Sequence, residues 1–225
     1  MFKDAKLDEK TFTNIIKLLS ERYGIQTPAH LDRSDPFKVL IGTILSHRTR
    51  DEMTDLAFSR LFSKYKNAEE IAKASLSDIM RLIKPVGFYR QKAKRVKEVA
   101  KLILERYGGQ VPRNRETLIE LPGVGYKTAD IVLSIAYGEP IVAVDTHVET
   151  VSKRLGIVRW NAKYEETRKG IESITPPYMR RIVNGILVRF GKEICKKPRP
   201  KCELCPITIY CEWYARRRNR NSQKI

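Results

Sequence analysis

LPGVGYKTAD occupies residues 121–130, and an apolar run, IVLSIA, follows it at 131–136. Pro122, Gly123 and Gly125 interrupt one helical pattern, and a second begins at about Lys127. Glycine permits a turn with positive φ and lets another backbone approach closely. Successive amides at a helix start can point at an anion. Together these features would grip a phosphate without reading a base sequence. An ordinary helix–helix turn closed by a glycine cap fits the same spacing equally well. The lysine is harder to place, because the first turn of a helix carries partial positive charge and disfavours a cation.

Outward from the hairpin the periodicity is helical nearly throughout. FTNIIKLLSERYG (12–24) puts Phe12, Ile15, Ile16 and Leu19 on one face and stops at Gly24. SDPFKVLIGTILS has a capping residue and then Pro36, where a first helical turn tolerates it. DEMTDLAFSRLFSKY (51–65), SLSDIMRLI (75–83), KAKRVKEVAKLILERYGG (92–109) and RETLIE (115–120) precede the hairpin. THVETVSKRLG, YEETRKGIESI and YMRRIVNGILVRFG follow it. EPIVAV (139–144) reads as one short strand, too isolated to make a sheet, so the class is all-α. LIKPVGFYRQKA (82–93) faintly echoes LIELPGVGYKTA (118–129), as a second helix–turn–helix connection with a single glycine. The basic tail ARRRNRNSQK is expected to fray.

Lys and Arg number 44 against 26 Asp and Glu, a formal net charge of +18. That excess predicts a polyanionic partner. Nucleic acid fits, since phosphate contacts release condensed counterions, and an anionic membrane surface is the competitor. No long uncharged apolar run occurs, and MFKDAKLDEK is too charged for a signal peptide, so a soluble, intracellular protein is expected.

The four cysteines are Cys195, Cys202, Cys205 and Cys211, all near the C-terminus. A secreted disulfide scaffold would spread them through a shorter chain. Four clustered thiolates hold zinc or a [4Fe–4S] cluster, and spacing alone leaves both open.

LPGVGYKTAD resembles the helix–hairpin–helix signature of base-excision DNA glycosylases, and VDTHV (144–148) resembles the aspartate-bearing segment of that superfamily. The resemblance is to the endonuclease III branch, with its iron–sulfur cluster, and runs from about Pro36 to Cys211. It implies two helical lobes with a cleft between them. Residues 29–139 would form a six-helix lobe holding the hairpin, at about 112–131. Residues 1–28 and 140–225 would form the second lobe, with a cluster loop at 195–211. It also implies a monomer acting on double-stranded DNA, without membrane association or a nucleotide cofactor.

The resemblance gives Lys127 a reason for its position. A lysine amine attacks carbon only when neutral, and at an unperturbed pKa of ~10.4 less than ~0.1% is neutral at pH 7. A helix start and burial both favour the neutral form. By resemblance Lys127 attacks the sugar C1′ of a damaged nucleotide, expels the base and forms a Schiff base, after which the 3′ phosphate is eliminated. Asp145 helps activate the nucleophile and offsets charge on the sugar, although its place before a helical run also makes it an N-cap. His147, two residues on, is read as structural or as a hydrogen-bond donor and not as a base. The resemblance decides the cysteines for a [4Fe–4S] cluster. It makes Lys196, Lys197, Arg199 and Lys201, in the loop KKPRPK, phosphate contacts alongside Gly123 and Gly125.

Two positions depart from the family pattern. In LSHRTRDE (45–52), Arg48 stands where a glutamine fills the hole left by an extruded base in bacterial relatives. A guanidinium can stack and hydrogen-bond there, or contact phosphate. Phe88 replaces an aliphatic wedge, as an aromatic insert or a core residue. The expected activity is excision of oxidised pyrimidines from duplex DNA, with strand cleavage by β-elimination. The rivals are a thymine or uracil mismatch glycosylase on the same scaffold, and a non-enzymatic DNA-binding module with a structural metal.

Overall fold

Capping chemistry sets where the helices begin. The computed structural model describes residues 7–24, 30–31 and 35–222. Among these there are twelve α-helices, two short 3₁₀ turns and no strand. EPIVAV is therefore extended chain without a partner strand. The chain divides into two compact units, Thr27–Glu139 and Met1–Gln26 with Pro140–Ile225.

The Thr27–Glu139 unit carries α2 (Pro36–Ser46), α3 (Asp51–Lys64), α4 (Ala68–Lys73), α5 (Leu76–Leu82), α6 (Tyr89–Tyr107), α7 (Arg115–Ile119) and α8 (Tyr126–Ala136). The periodicity does not announce α4, a six-residue helix capped by Asn67. Asp35 starts α2 by accepting from the Phe37 and Lys38 amides at 2.9 and 3.2 Å, and Pro36 fits the first turn. Phe37 and all of Val39 to Leu45 are buried, so α2 is the central post of this unit, packed against α8, α3 and α6. Gly42 lets the backbone at His30 lie directly on α2: an added Cβ would fall 1.9 Å from the His30 carbonyl oxygen.

The second unit carries α1 (Glu9–Tyr23), α9 (Thr146–Leu155), α10 (Tyr164–Glu172), α11 (Pro177–Glu193) and α12 (Glu212–Ser222). Asp8 caps α1 through the Thr11 amide at 2.8 Å. Phe12, Ile15, Ile16 and Leu19 then pack into one core with Val148 and Val151 of α9 and Ile186, Leu187 and Phe190 of α11. Burying such side chains contributes about 1.5–3 kcal/mol each. Where fraying is expected in the basic tail, α12 runs to Ser222, and residues 223 and 224 of that tail lie outside the described residues. Its first turn is tied down by Glu212, whose carboxylate lies where a Cβ on Gly156 would otherwise sit. Among the described residues no helix is long and apolar enough to cross a membrane.

Candidate active site

The hairpin is built as two helices locked by one buried ion pair. Arg115, at the start of α7, approaches the fully buried Asp130 of α8, with Nε 2.8 Å from Oδ1 and Nη2 3.1 Å from Oδ2. The same guanidinium lies 4.8 Å from the Tyr126 ring centroid. Between the helices the Val124 amide bonds the Leu121 carbonyl at 3.0 Å. Gly123 has φ +79°, so its conformation demands glycine, and an added Cβ would also lie 2.8 Å from Arg95 Cδ and push that flexible side chain aside. Gly125 differs: its φ is −105° and a Cβ there would meet nothing within 4 Å. It is the N-cap of α8 without a capping side chain, which leaves the first-turn amides to face outward.

Lys127 is the second residue of α8 and is half-buried. It lines a pocket in the Thr27–Glu139 unit with His47, Arg48, Phe88, Lys92 and Arg95. The structure thus brings Lys127, Arg48 and Phe88 together. Phe88 is 62% exposed, so it is not a core residue. The Arg48 guanidinium lies 6.0 Å from the Phe88 ring centroid, a cation–π distance. Both residues are left-handed, with φ 51° and 56°.

Two further residues in this pocket gave no sequence signal. His47 Nε2 is hydrogen-bonded to Thr128 Oγ1 at 3.0 Å, joining the end of α2 to the residue after Lys127. Burial first, and then the cations Lys127, Lys92 and Arg95, lower its pKa to about 4, so the imidazole is neutral at physiological pH. Lys92 is buried, with Nζ donating to Leu45 O and His47 O at 2.6 Å each and to Thr49 Oγ1 at 2.9 Å. Burial and the neighbouring Arg95 lower its pKa to about 8. One lysine among the six Lys and Arg of KAKRVKEVAKLILER cannot be singled out by composition.

Asp145 belongs to the other unit, where it is the N-cap of α9. Its Oδ1 accepts from the His147 and Val148 amides at 2.9 and 2.8 Å. Among the described residues nothing hydrogen-bonds its Oδ2. The His147 ring packs on α11 where Gly191 has no Cβ.

Cys195, Cys202, Cys205 and Cys211 are free thiols lining one small pocket in this unit. Arg154 of α9 organises its rim. It donates to Cys195 O at 2.9 Å, Lys196 O at 3.1 Å and Cys195 Sγ at 3.2 Å, and its guanidinium lies over the Trp213 ring. Burial pushes the Cys205 and Cys211 thiols up to about 11 and raises Cys202 as well. Among the described residues no three His, Cys, Asp or Glu side chains are grouped to hold a metal ion as they stand. Lys196, Lys197, Arg199 and Lys201 are exposed in the loop between the first two cysteines.

The model of the HhH-GPD superfamily base excision DNA repair proteins matches residues 41–177. Endonuclease III of Thermotoga maritima is 45% identical over 203 residues, which cover 90% of this chain and 95% of that protein. A solved trapped endonuclease III–DNA covalent intermediate, an estranged-adenine complex, is similar with a TM-score of 0.83 at 33% identity, over 94% of this chain and 99% of that one. A solved thermostable thymine-DNA glycosylase is similar with a TM-score of 0.83 at 31% identity, over 92% and 97%.

Proposed function

The chain belongs to the HhH-GPD superfamily of base excision DNA repair proteins, in its endonuclease III branch, and we propose that it is a bifunctional DNA glycosylase and abasic-site lyase. Its substrate would be duplex DNA carrying an oxidised pyrimidine or an abasic site. The observation that carries this reading is Lys127 at the first turn of α8, directly behind the hairpin and inside a pocket rimmed by Arg48 and Phe88.

The outward amides of the hairpin and of α8 would hold a backbone phosphate, fixing the duplex without reading its sequence. Arg48 and Phe88 would occupy the stack vacated by an extruded nucleotide. The free amine of Lys127 would attack C1′, and the C1′–N bond would break as the damaged base leaves. Ring opening would give the Schiff base. Loss of a 2′ proton would then expel the 3′ phosphate and nick the strand. The unbonded Oδ2 of Asp145 would offset positive charge on the sugar, while Oδ1 stays committed to α9.

The four thiols suit a [4Fe–4S] cluster. Four cysteine sulfurs lining one pocket can supply four thiolates to a cluster or to zinc, and the likeness to endonuclease III favours the cluster. Cys195, Cys202, Cys205 and Cys211 would hold it. It would supply order to the loop bearing Lys196, Lys197, Arg199 and Lys201, and no electron or proton to excision.

A second reading, a thymine or uracil mismatch glycosylase, is favoured by the likeness to the thymine-DNA glycosylase. Borohydride trapping on a panel of oxidised, mismatched and abasic duplexes separates the two. The lyase reading expects a covalent adduct on oxidised and abasic duplexes that disappears in Lys127→Ala. Full incision by Lys127→Ala protein with its iron intact would overturn it. Iron content with visible absorption near the cluster bands tests the metal, and zinc in its place would overturn that assignment.

A further inference from the structure

Among the described residues Arg48 and Phe88 are the two non-glycine residues with positive φ. Such a conformation is costly for a residue that carries a Cβ. Two neighbouring outliers on the rim of one pocket need a restraint strong enough to hold both.

That restraint converges on Lys92. Its backbone amide closes the first turn of α6 by bonding Phe88 O at 3.0 Å. Its side chain turns back to the loop after α2 and bonds His47 O, the carbonyl of the peptide entering Arg48, at 2.6 Å. It also reaches Thr49 Oγ1, immediately after Arg48, at 2.9 Å. Its third donor goes to Leu45 O at the C-terminal end of α2, where the helix dipole favours a cation. Thr49 Oγ1 accepts in addition from the Gly87 amide at 3.2 Å, the residue before Phe88. The two loops meet closely: a Cβ on Gly87 would lie 3.1 Å from Arg48 O. The ammonium and the hydroxyl therefore bracket Arg48 on both sides, while Phe88 is held through Gly87 by the hydroxyl and on its other side by the Lys92 backbone amide. The charged amine has three N–H donors, one for each of these three oxygens.

We propose that Lys92 and Thr49 are positioning residues that preset Arg48 and Phe88 as one rigid, two-pronged probe of the DNA stack. The proposal rests on the reading of Arg48 and Phe88 as DNA contacts. Neither positioning side chain need touch the substrate. Their effect is to remove the ordering cost that a mobile arginine and phenylalanine would incur on insertion.

The test compares excision from a lesion-bearing duplex with incision of an abasic site in a single strand, where no stack has to be opened. Lys92→Met keeps the stem and removes the ammonium, and Thr49→Val removes one oxygen. In both, the ratio of duplex to single-strand rate is expected to fall about tenfold or more. Thr49→Ser, which retains the oxygen, is expected to restore it. Thr49→Val keeps the proposal testable should Lys92→Met fail to fold. An equal loss on both substrates would mark a merely structural role and overturn it. A wild-type ratio in Lys92→Met and Thr49→Val, with a depressed ratio in the Arg48→Ala/Phe88→Ala double variant, would also overturn it while leaving the parent reading intact. A wild-type ratio in that double variant would remove the parent reading and the proposal together.

Discussion

His47 sits in the active pocket as a neutral ring in a ring of cations. With its pKa near 4 in the folded protein and ~6.5 when unfolded, only the unfolded chain takes up a proton between those values. The folded state is therefore fully favoured above about pH 6.5 and loses that advantage as pH falls toward 4. The whole displacement is worth about 3 kcal/mol, which partial solvent exposure reduces to on the order of 1–2 kcal/mol. The fall in Tm from pH 7 to pH 4.5 should be smaller in His47→Gln, which cannot titrate there. Parallel Tm–pH curves for the two proteins would refute this. The ring's link to Thr128 also places an uncharged neighbour beside Lys127.

The two glycines of the hairpin look alike in LPGVG yet serve different ends. Gly123→Ala must place a side chain at positive φ and against Arg95, which should destabilise the fold by about 1–3 kcal/mol. Gly125→Ala meets open space and should leave Tm within about a degree or two. If the outward face of α8 receives a phosphate, Gly125→Ala should instead weaken duplex binding severalfold, measured by fluorescence anisotropy. Equal Tm losses in both variants would show the distinction to be wrong. This difference marks how far the sequence could be read. The 3.6-residue period and the capping residue before Pro36 made the helices legible, although the start of α1 at Glu9, capped by Asp8, was not read. Lys127 and the cysteines were legible too, because turn chemistry and thiol clustering are local. His47, Lys92 and Thr49 were not, because their roles come from partners up to 81 residues away, and no local pattern distinguishes them from ordinary polar residues. α4 was missed because six residues are too few for a period to show.

At the scale of the molecule, the +18 charge makes duplex binding a matter of salt. Log affinity should fall linearly with log salt concentration, with a slope of about −0.9 per phosphate contacted. Replacing Lys196, Lys197, Arg199 and Lys201 together with alanine should reduce the magnitude of that slope by roughly 2–4 if the exposed loop meets phosphate. An unchanged slope would place the loop off the DNA. If the four cysteines hold a cluster, its removal should produce the same loss, since it would release the loop without altering the loop's charge.

Arg154, stacked on Trp213 beside the cysteines, has a consequence for optical work. Trp213 and Trp160 are the chain's two tryptophans, and both lie in Pro140–Ile225. Selectively excited indole emission is thus blind to the half of the protein bearing the hairpin, while ellipticity sums over both halves. Where the two traces separate on heating, the gap times one half's melting against the other's, with no label introduced.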